Sequence, residues 1–147
     1  MDEGGVIAEE AAETILNNLG RVTSLLVGPG FGVEETTKIF LQRMLNLPVK
    51  GKKVSLPNLV VDADGLKLLA NIHDWPRLLP AQTVLTPHPG EMAVLTGMPI
   101  AKIQADRIYY AEFYAREWNH IVVLKGAFTV VADPSGQTAI IQVASPE

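Results

Sequence analysis

Four short apolar runs constrain this chain most: LLV at 25–27, LVV at 59–61, VL at 84–85 and IVVL at 121–124. Each meets glycine, proline or a charged residue within two positions of its end. After the first three, the chain continues with apolar residues at helical spacing. A strand that is apolar at successive positions has no face to give to water, so it belongs in a sheet covered on both sides. Strands alternating with helices make parallel pairs, because each crossover returns the chain to the same edge of the sheet. The expected fold is therefore α/β, a mostly parallel sheet flanked by helices.

The remaining elements follow from periodicity and punctuation. Residues 9–19 read as a short helix with Ile15, Leu16 and Leu19 on one side and Gly20 as its stop. Residues 33–47 read as a second helix, with Ile39, Phe40, Met44, Leu45 and Leu47 at helical spacing and acids in its first turn. The segment 49–58 is a polar connection, and a helix starts at about Gly65. The spacing predicts one long helix over 101–120, burying Ile103, Tyr110, Ala111, Tyr114, Ala115 and Trp118. The segment 129–143 reads as a β-hairpin turned by Asp133-Pro134-Ser135-Gly136, the one departure from strict alternation. No internal repeat divides the 147 residues, and the whole is one domain.

Composition narrows the function. Sixteen acidic and 12 basic side chains give a net charge of −4 with no basic run, which argues against a nucleic-acid partner. There are no cysteines, so disulfides and thiolate chemistry are excluded, and three scattered histidines (73, 88 and 120) make a poor zinc site. No apolar run reaches the roughly 18 residues of a membrane span. The acidic start MDEGGVIAEEAAE lacks the layout of a secretory signal, so a cytoplasmic protein is expected.

The chemistry is expected at the strand ends, which share one edge in such a sheet. Gly28-Pro29-Gly30-Phe31-Gly32 precedes a helix, where close backbone approach and free N–H groups favour an anion. Asp62 and Asp64 follow the second strand, with three roles open to them: a metal, a ligand hydroxyl, or the cap of the next helix. Capping suits Asp64 best, whereas a carboxylate directly after Val60-Val61 needs a partner. In TPHPGE, Pro87 and Pro89 hold His88 at a rigid elbow between strand and helix. Lys125, between an apolar strand and Gly126, must reach water, an anion or one of the aspartates. Together these ends describe a polar edge for an anionic ligand.

The ordered motifs GPGFG, DADGL, LTPHPGEMAVLTG and VVLKGAFTVVADPSG resemble a ribokinase-like family, the ATP- or ADP-dependent NAD(P)H-hydrate dehydratases, over about Ser24 to Val143. Phe31 and Gly65 stand where that family more usually has Leu and Ala. The resemblance implies a hydro-lyase of metabolite repair. The nucleotide phosphorylates the hydroxyl of hydrated NADH or NADPH, and loss of phosphate restores the reduced ring. It implies Gly32 and His88 at the substrate, with Gly30 of the same turn, and Lys125, Gly126, Ala127, Phe128 and Thr129 at the nucleotide; by position, Glu91 orients His88 or the substrate, and Asp62 and Asp64 offer polar support. Magnesium is implied by phosphoryl transfer, with no residue here identified as its ligand. The family's Gly-Ser-Gly-Asp turn, which carries the catalytic base, and its leading glycine-alanine segment have no counterpart in the chain. The expectation is thus a single partial domain over 1–147, catalytically inactive alone, poorly soluble, and completed by missing segments or by a homo-oligomer. A sugar or vitamin kinase of the same superfamily and a non-catalytic nucleotide-binding remnant are the alternatives.

Overall fold

The computed structural model describes residues 5–46, 48–49, 52–53 and 56–142. In chain order the elements are α1 (Ala11–Leu16), β1 (Ser24–Val27), α2 (Glu35–Asn46), β2 (Pro48–Val49), β3 (Lys52–Lys53), β4 (Asn58–Val61), α3 (Asp64–Ala70) and α4 (Trp75–Leu78). They continue with β5 (Val84–Leu85), α5 (Pro89–Thr96), α6 (Ile100–Ala105), α7 (Arg107–Trp118), β6 (Ile121–Leu124), β7 (Phe128–Ala132) and β8 (Thr138–Gln142). Six strands form one sheet in the order β1-β4-β5-β6-β7-β8. The first four run parallel, while β7 and β8 are antiparallel additions. The expected α/β sheet with a terminal hairpin is present. Among the described residues no helix is long and apolar enough to cross a membrane.

Register explains the core. Val27, Val61, Leu85, Val122 and Ala132 pair in turn across five strands, so their side chains share one face of the sheet. All five are at most 2% exposed. The row on the opposite face is covered less completely: Val60, Val84, Ile121, Val123 and Val131 are half-buried, and Leu26 is exposed. Burial is thus full on one face and partial on the other among the described residues. The helices α2, α3, α5 and α6 pack in sequence against one another, and α7 packs on β6 and β7.

Three expectations needed correction. The helix expected over 101–120 is two helices, because Asp106 leaves helical geometry at φ −149°, ψ 64°. Aspartate suits that position, since its short polar side chain favours non-helical backbone at a helix start. The break resets the buried stripe to Arg107, Ala111, Ala115 and Trp118, and Tyr110 and Tyr114 are only half-buried. The polar connection contains a short antiparallel pair, β2 with β3; Lys50, Gly51, Val54 and Ser55 within it lie outside the described residues, as do Leu47 and Val143. The one-turn helix α4, opened by Trp75-Pro76, was not foreseen; Trp75 packs on Trp118 with ring centroids 4.9 Å apart and planes tilted by 59°.

Candidate functional site

The C-terminal ends of β1, β4, β5 and β6 lie side by side, so each special turn adjoins the next. Backbone bonds lace them together. Asp62 N–H donates to Val27 O at 3.0 Å, Thr86 N–H to Val61 O at 3.2 Å, and Lys125 N–H to Pro87 O at 2.9 Å.

Gly28 sits where no side chain fits. Its φ is +123°, and an added Cβ would lie 1.9 Å from Asp62 O and 2.7 Å from Gly65 N. The first turn therefore rests directly on the turn after β4. Phe31 anchors its far side, edge-on to Phe40 of α2 at 5.9 Å. Gly30 stands exposed at the tip with φ +76° and nothing within 4 Å of its added Cβ.

Ala63 separates the two aspartates and adopts φ 50°, ψ −125°, rare for a residue with a Cβ. Such backbone costs about 1–3 kcal/mol and persists only where its surroundings enforce it. Its consequence is that the carboxylates go opposite ways along the edge. Asp64 Oδ2 accepts the Gly32 N–H at 2.9 Å, toward the β1 side. Asp62 Oδ1 accepts from Lys125 Nζ at 2.9 Å, past β5 to β6. Asp64 therefore does not cap α3: the helix begins at Asp64 itself, its cap position is Ala63, and no side chain caps it. The Gly32 amide, expected to face an outside anion, is held by an internal carboxylate. Of the partners open to Lys125, the structure shows the aspartate.

Burial alone would raise the Asp62 carboxyl. The hydrogen bonds from Lys125 and the Ala63 N–H, the nearby Thr86 hydroxyl, which also donates to Val61 O at 3.3 Å, and the lysine charge together outweigh it and hold the group below its ordinary value. Lys125 keeps 42% of its side chain exposed, and an ammonium has two donors left after one bond to Asp62.

His88 caps α5 in the arrangement that its proline-flanked elbow prepares. Its Nδ1 accepts from the Glu91 N–H at 3.2 Å, and Glu91 Oε1 accepts from the His88 N–H at 3.1 Å. Nε2 lies 3.3 Å from Glu91 Oε2. Glu91 is 4% exposed while His88 is half exposed; a buried carboxylate thus holds an accessible imidazole. Gly90 leaves room for the ring, since a Cβ there would stand 2.8 Å from His88 Cε1.

Within the lysine turn, Gly126, Ala127 and Phe128 are exposed and Thr129 is half-buried in β7. Sequence reasoning missed Arg107, whose guanidinium lies beneath this turn. It also missed Thr86, although the hydroxyl directly after β5 was a signal for a strand-end partner. Near Gly32 a groove of about 540 Å³ is lined by Val33, Val94, Lys38 and Lys67. No group of three His, Asp or Glu side chains among the described residues is placed to hold a metal. Asp62 and Asp64 are already engaged apart, so they form no cage for magnesium.

The sequence model of the NAD(P)H-hydrate dehydratase family matches residues 4–147. The bifunctional NAD(P)H-hydrate repair enzyme Nnr of Moorella thermoacetica is 41% identical over 145 residues, 97% of this chain and 26% of the relative. Its namesake in Thermofilum pendens is 39% identical over 92% of the chain and 25% of the relative. The chain thus spans about a quarter of the length of these relatives. Among solved structures, an ADP/ATP-dependent NAD(P)H-hydrate dehydratase of Bacillus subtilis, co-crystallised with ATP and Mg2+ and soaked with CoA, matches with a TM-score of 0.65. It is 26% identical, over 84% of this chain and 41% of the other. A ribokinase-like superfamily protein of Enterococcus faecalis, 21% identical, matches 96% of this chain and 46% of its own with a TM-score of 0.71, which carries the fold alone.

Proposed function

The chain belongs to the NAD(P)H-hydrate dehydratase family, and from that premise we propose that it carries the substrate- and nucleotide-binding edge of an enzyme that repairs hydrated NADH or NADPH at the expense of ATP or ADP. One observation supports this above the others: the Ala63 kink ties Gly32 to Asp64 and Asp62 to Lys125, linking the glycine turn and the lysine turn through one strand end.

Hydroxide is a poor leaving group and phosphate a good one. The ring hydroxyl oxygen attacks the terminal phosphorus of the nucleotide, the bond to the leaving nucleotide breaks, and the hydroxyl proton passes to a base. Loss of inorganic phosphate and of a proton from the adjacent ring carbon then restores the reduced nicotinamide. Such transfer depends on placement and on charge stabilisation. Lys125, with two donors free beyond Asp62, supplies positive charge to the phosphates. Gly126, Ala127, Phe128 and Thr129 form the exposed nucleotide segment. Gly30, Gly32 and His88 contact the hydrated cofactor in this reading, Gly32 through its Cα because its N–H is held by Asp64, with Glu91 holding the imidazole. None of the described residues is assigned as the base; Asp133 staples the β7–β8 turn, accepting from Ser135 N–H and Oγ–H and from Gln137 N–H. Magnesium, where bound, would come with the nucleotide phosphates and offset their charge, since the described residues offer it no cage.

We read residues 1–147 as one partial domain of a cytoplasmic enzyme. The exposed edge strand β8, with Ile140 and Ile141 more than half exposed, supports association with a second copy or with further segments. The test is thermal protection and turnover of the protein carrying this chain. Hydrated NADH and ATP or ADP are expected to raise its Tm, and their mixture to regain absorbance at the reduced-nicotinamide band. His88→Ala should lose the first protection and Lys125→Met the second. Protection by a sugar, with none by hydrated NADH, would overturn the reading.

A further inference from the structure

The Arg107 side chain has no place in the proposed chemistry, yet it is only 9% exposed. Its partners are all neutral. Nη2 donates to Leu124 O at 3.1 Å and to Phe128 O at 2.9 Å, and Nη1 donates to Gln104 Oε1 at 2.6 Å. No salt bridge joins it to a carboxylate among the described residues; its burial lowers the guanidinium below its ordinary value, and arginine stays charged regardless. A buried cation without a counter-charge is costly and needs a reason.

The two carbonyls supply it. Leu124 closes β6 and Phe128 opens β7, so one nitrogen clamps both ends of the turn Lys125-Gly126-Ala127. The same guanidinium lies against Gly126, where an added Cβ would stand 2.5 Å from Nη2 and 2.9 Å from Cζ. It also sits 5.7 Å from the centre of the Phe128 ring. A side chain at 126 would therefore push the guanidinium away from its two carbonyls, whatever approaches the outer side of the turn.

We propose that Arg107 is the positioning residue of the nucleotide site: its fork sets the β6–β7 turn in the shape that receives an adenine nucleotide, and Gly126 is small so that the fork can reach both carbonyls. This rests on the reading that Lys125 to Thr129 bind the nucleotide. Lysine cannot replace the fork, because a single ammonium on a flexible stem does not hold both carbonyls and Gln104 Oε1 together in one fixed plane.

The experiment is a double-mutant cycle on the protein carrying this chain. ADP and ATP affinity are measured by titration calorimetry for wild type, Arg107→Lys, Gly126→Ala and the pair, beside affinity for hydrated NADH and amide exchange across residues 124–128. Each single variant should weaken ADP about tenfold or more, leave hydrated NADH within about twofold, and speed exchange in the turn but not along α7. The second substitution should add little to the first, since both release the same clamp. Should Arg107→Lys fail to fold, Gln104→Leu removes one exposed anchor of the fork and is expected to give the same pattern at smaller amplitude. Wild-type protein that binds no adenine nucleotide would overturn the underlying reading and this inference with it. Wild type and variants binding ADP alike, fully additive losses, or equal losses for both ligands would overturn this inference alone.

Discussion

Replacing Gly28 and Gly30 by alanine separates two costs that a glycine-rich turn usually confounds. Both residues have positive φ, +123° and +76°. At Gly30 the added methyl meets nothing within 4 Å, so only backbone strain counts, about 1–2 kcal/mol for a left-handed residue. The stiffer unfolded chain returns about 0.4–1 kcal/mol of this, leaving a net loss of about 1 kcal/mol. At Gly28 the Cβ would stand 1.9 Å from the Asp62 carbonyl oxygen and 2.7 Å from Gly65 N, both main-chain atoms that no rotamer change can clear. Strain of about 1–3 kcal/mol then joins an overpacking cost of about 1–3 kcal/mol, roughly 2–5 kcal/mol net once the same unfolded-chain term is returned. A chain of this size loses about 2–4 °C of Tm per kcal/mol. Gly30→Ala should therefore lower Tm by only about 2–4 °C and Gly28→Ala by about 4–20 °C. Calorimetric scans of the three proteins in one buffer measure this directly. Equal losses at the two positions would refute the claim that the glycine turn rests on the Asp62 turn.

Three further outcomes are expected. His120 is 3% exposed, donates from Nε2 to Pro76 O at 2.7 Å and leaves Nδ1 without a partner among the described residues. Desolvation lowers its pKa, an effect that the Pro76 bond only partly offsets. Because the unfolded chain then binds the proton more tightly, stability should be full above the ordinary histidine value of about 6.5 and fall as pH drops through the lower folded value. A Tm–pH profile from 8 to 5 checks this, and His120→Gln should flatten it. Asp62 is held below its ordinary value, so its contribution is present above the unfolded pKa of 3.8 and lost as pH falls through the folded one. The gap in urea midpoint between wild type and Asp62→Asn should accordingly close at acid pH; a gap that widened would count against the ion pair. Glu91→Ala breaks the capping box and should cost about 1 kcal/mol in urea unfolding, and Glu91→Gln, which keeps an acceptor for the His88 N–H, clearly less.

Much of the architecture followed from local pattern. Apolar runs at 25–27, 59–61, 84–85 and 121–124 became the parallel strands because one of their faces is buried and the other half-buried except at Leu26, and the glycine, proline and charged residues after them marked the edge. The proline-flanked His88 became a helix cap because prolines on either side leave it little but extended backbone. Long-range partners were a different matter. Nothing local to Asp64 says that its carboxylate belongs to Gly32 rather than to its own helix, and nothing local to Lys125 selects Asp62.

The sequence by itself determined which segments are strands, which turns end them, and which family the motifs evoke, since these depend on neighbours within a few residues. Only the tertiary structure decided that Ala63 adopts a strained conformation and sends its flanking aspartates apart. It alone broke the helix at Asp106 and drew a charged Arg107 under the lysine turn. Those outcomes are set by atoms as many as 63 positions distant along the chain, where the energy of a contact is felt only after the sheet has brought the two ends together.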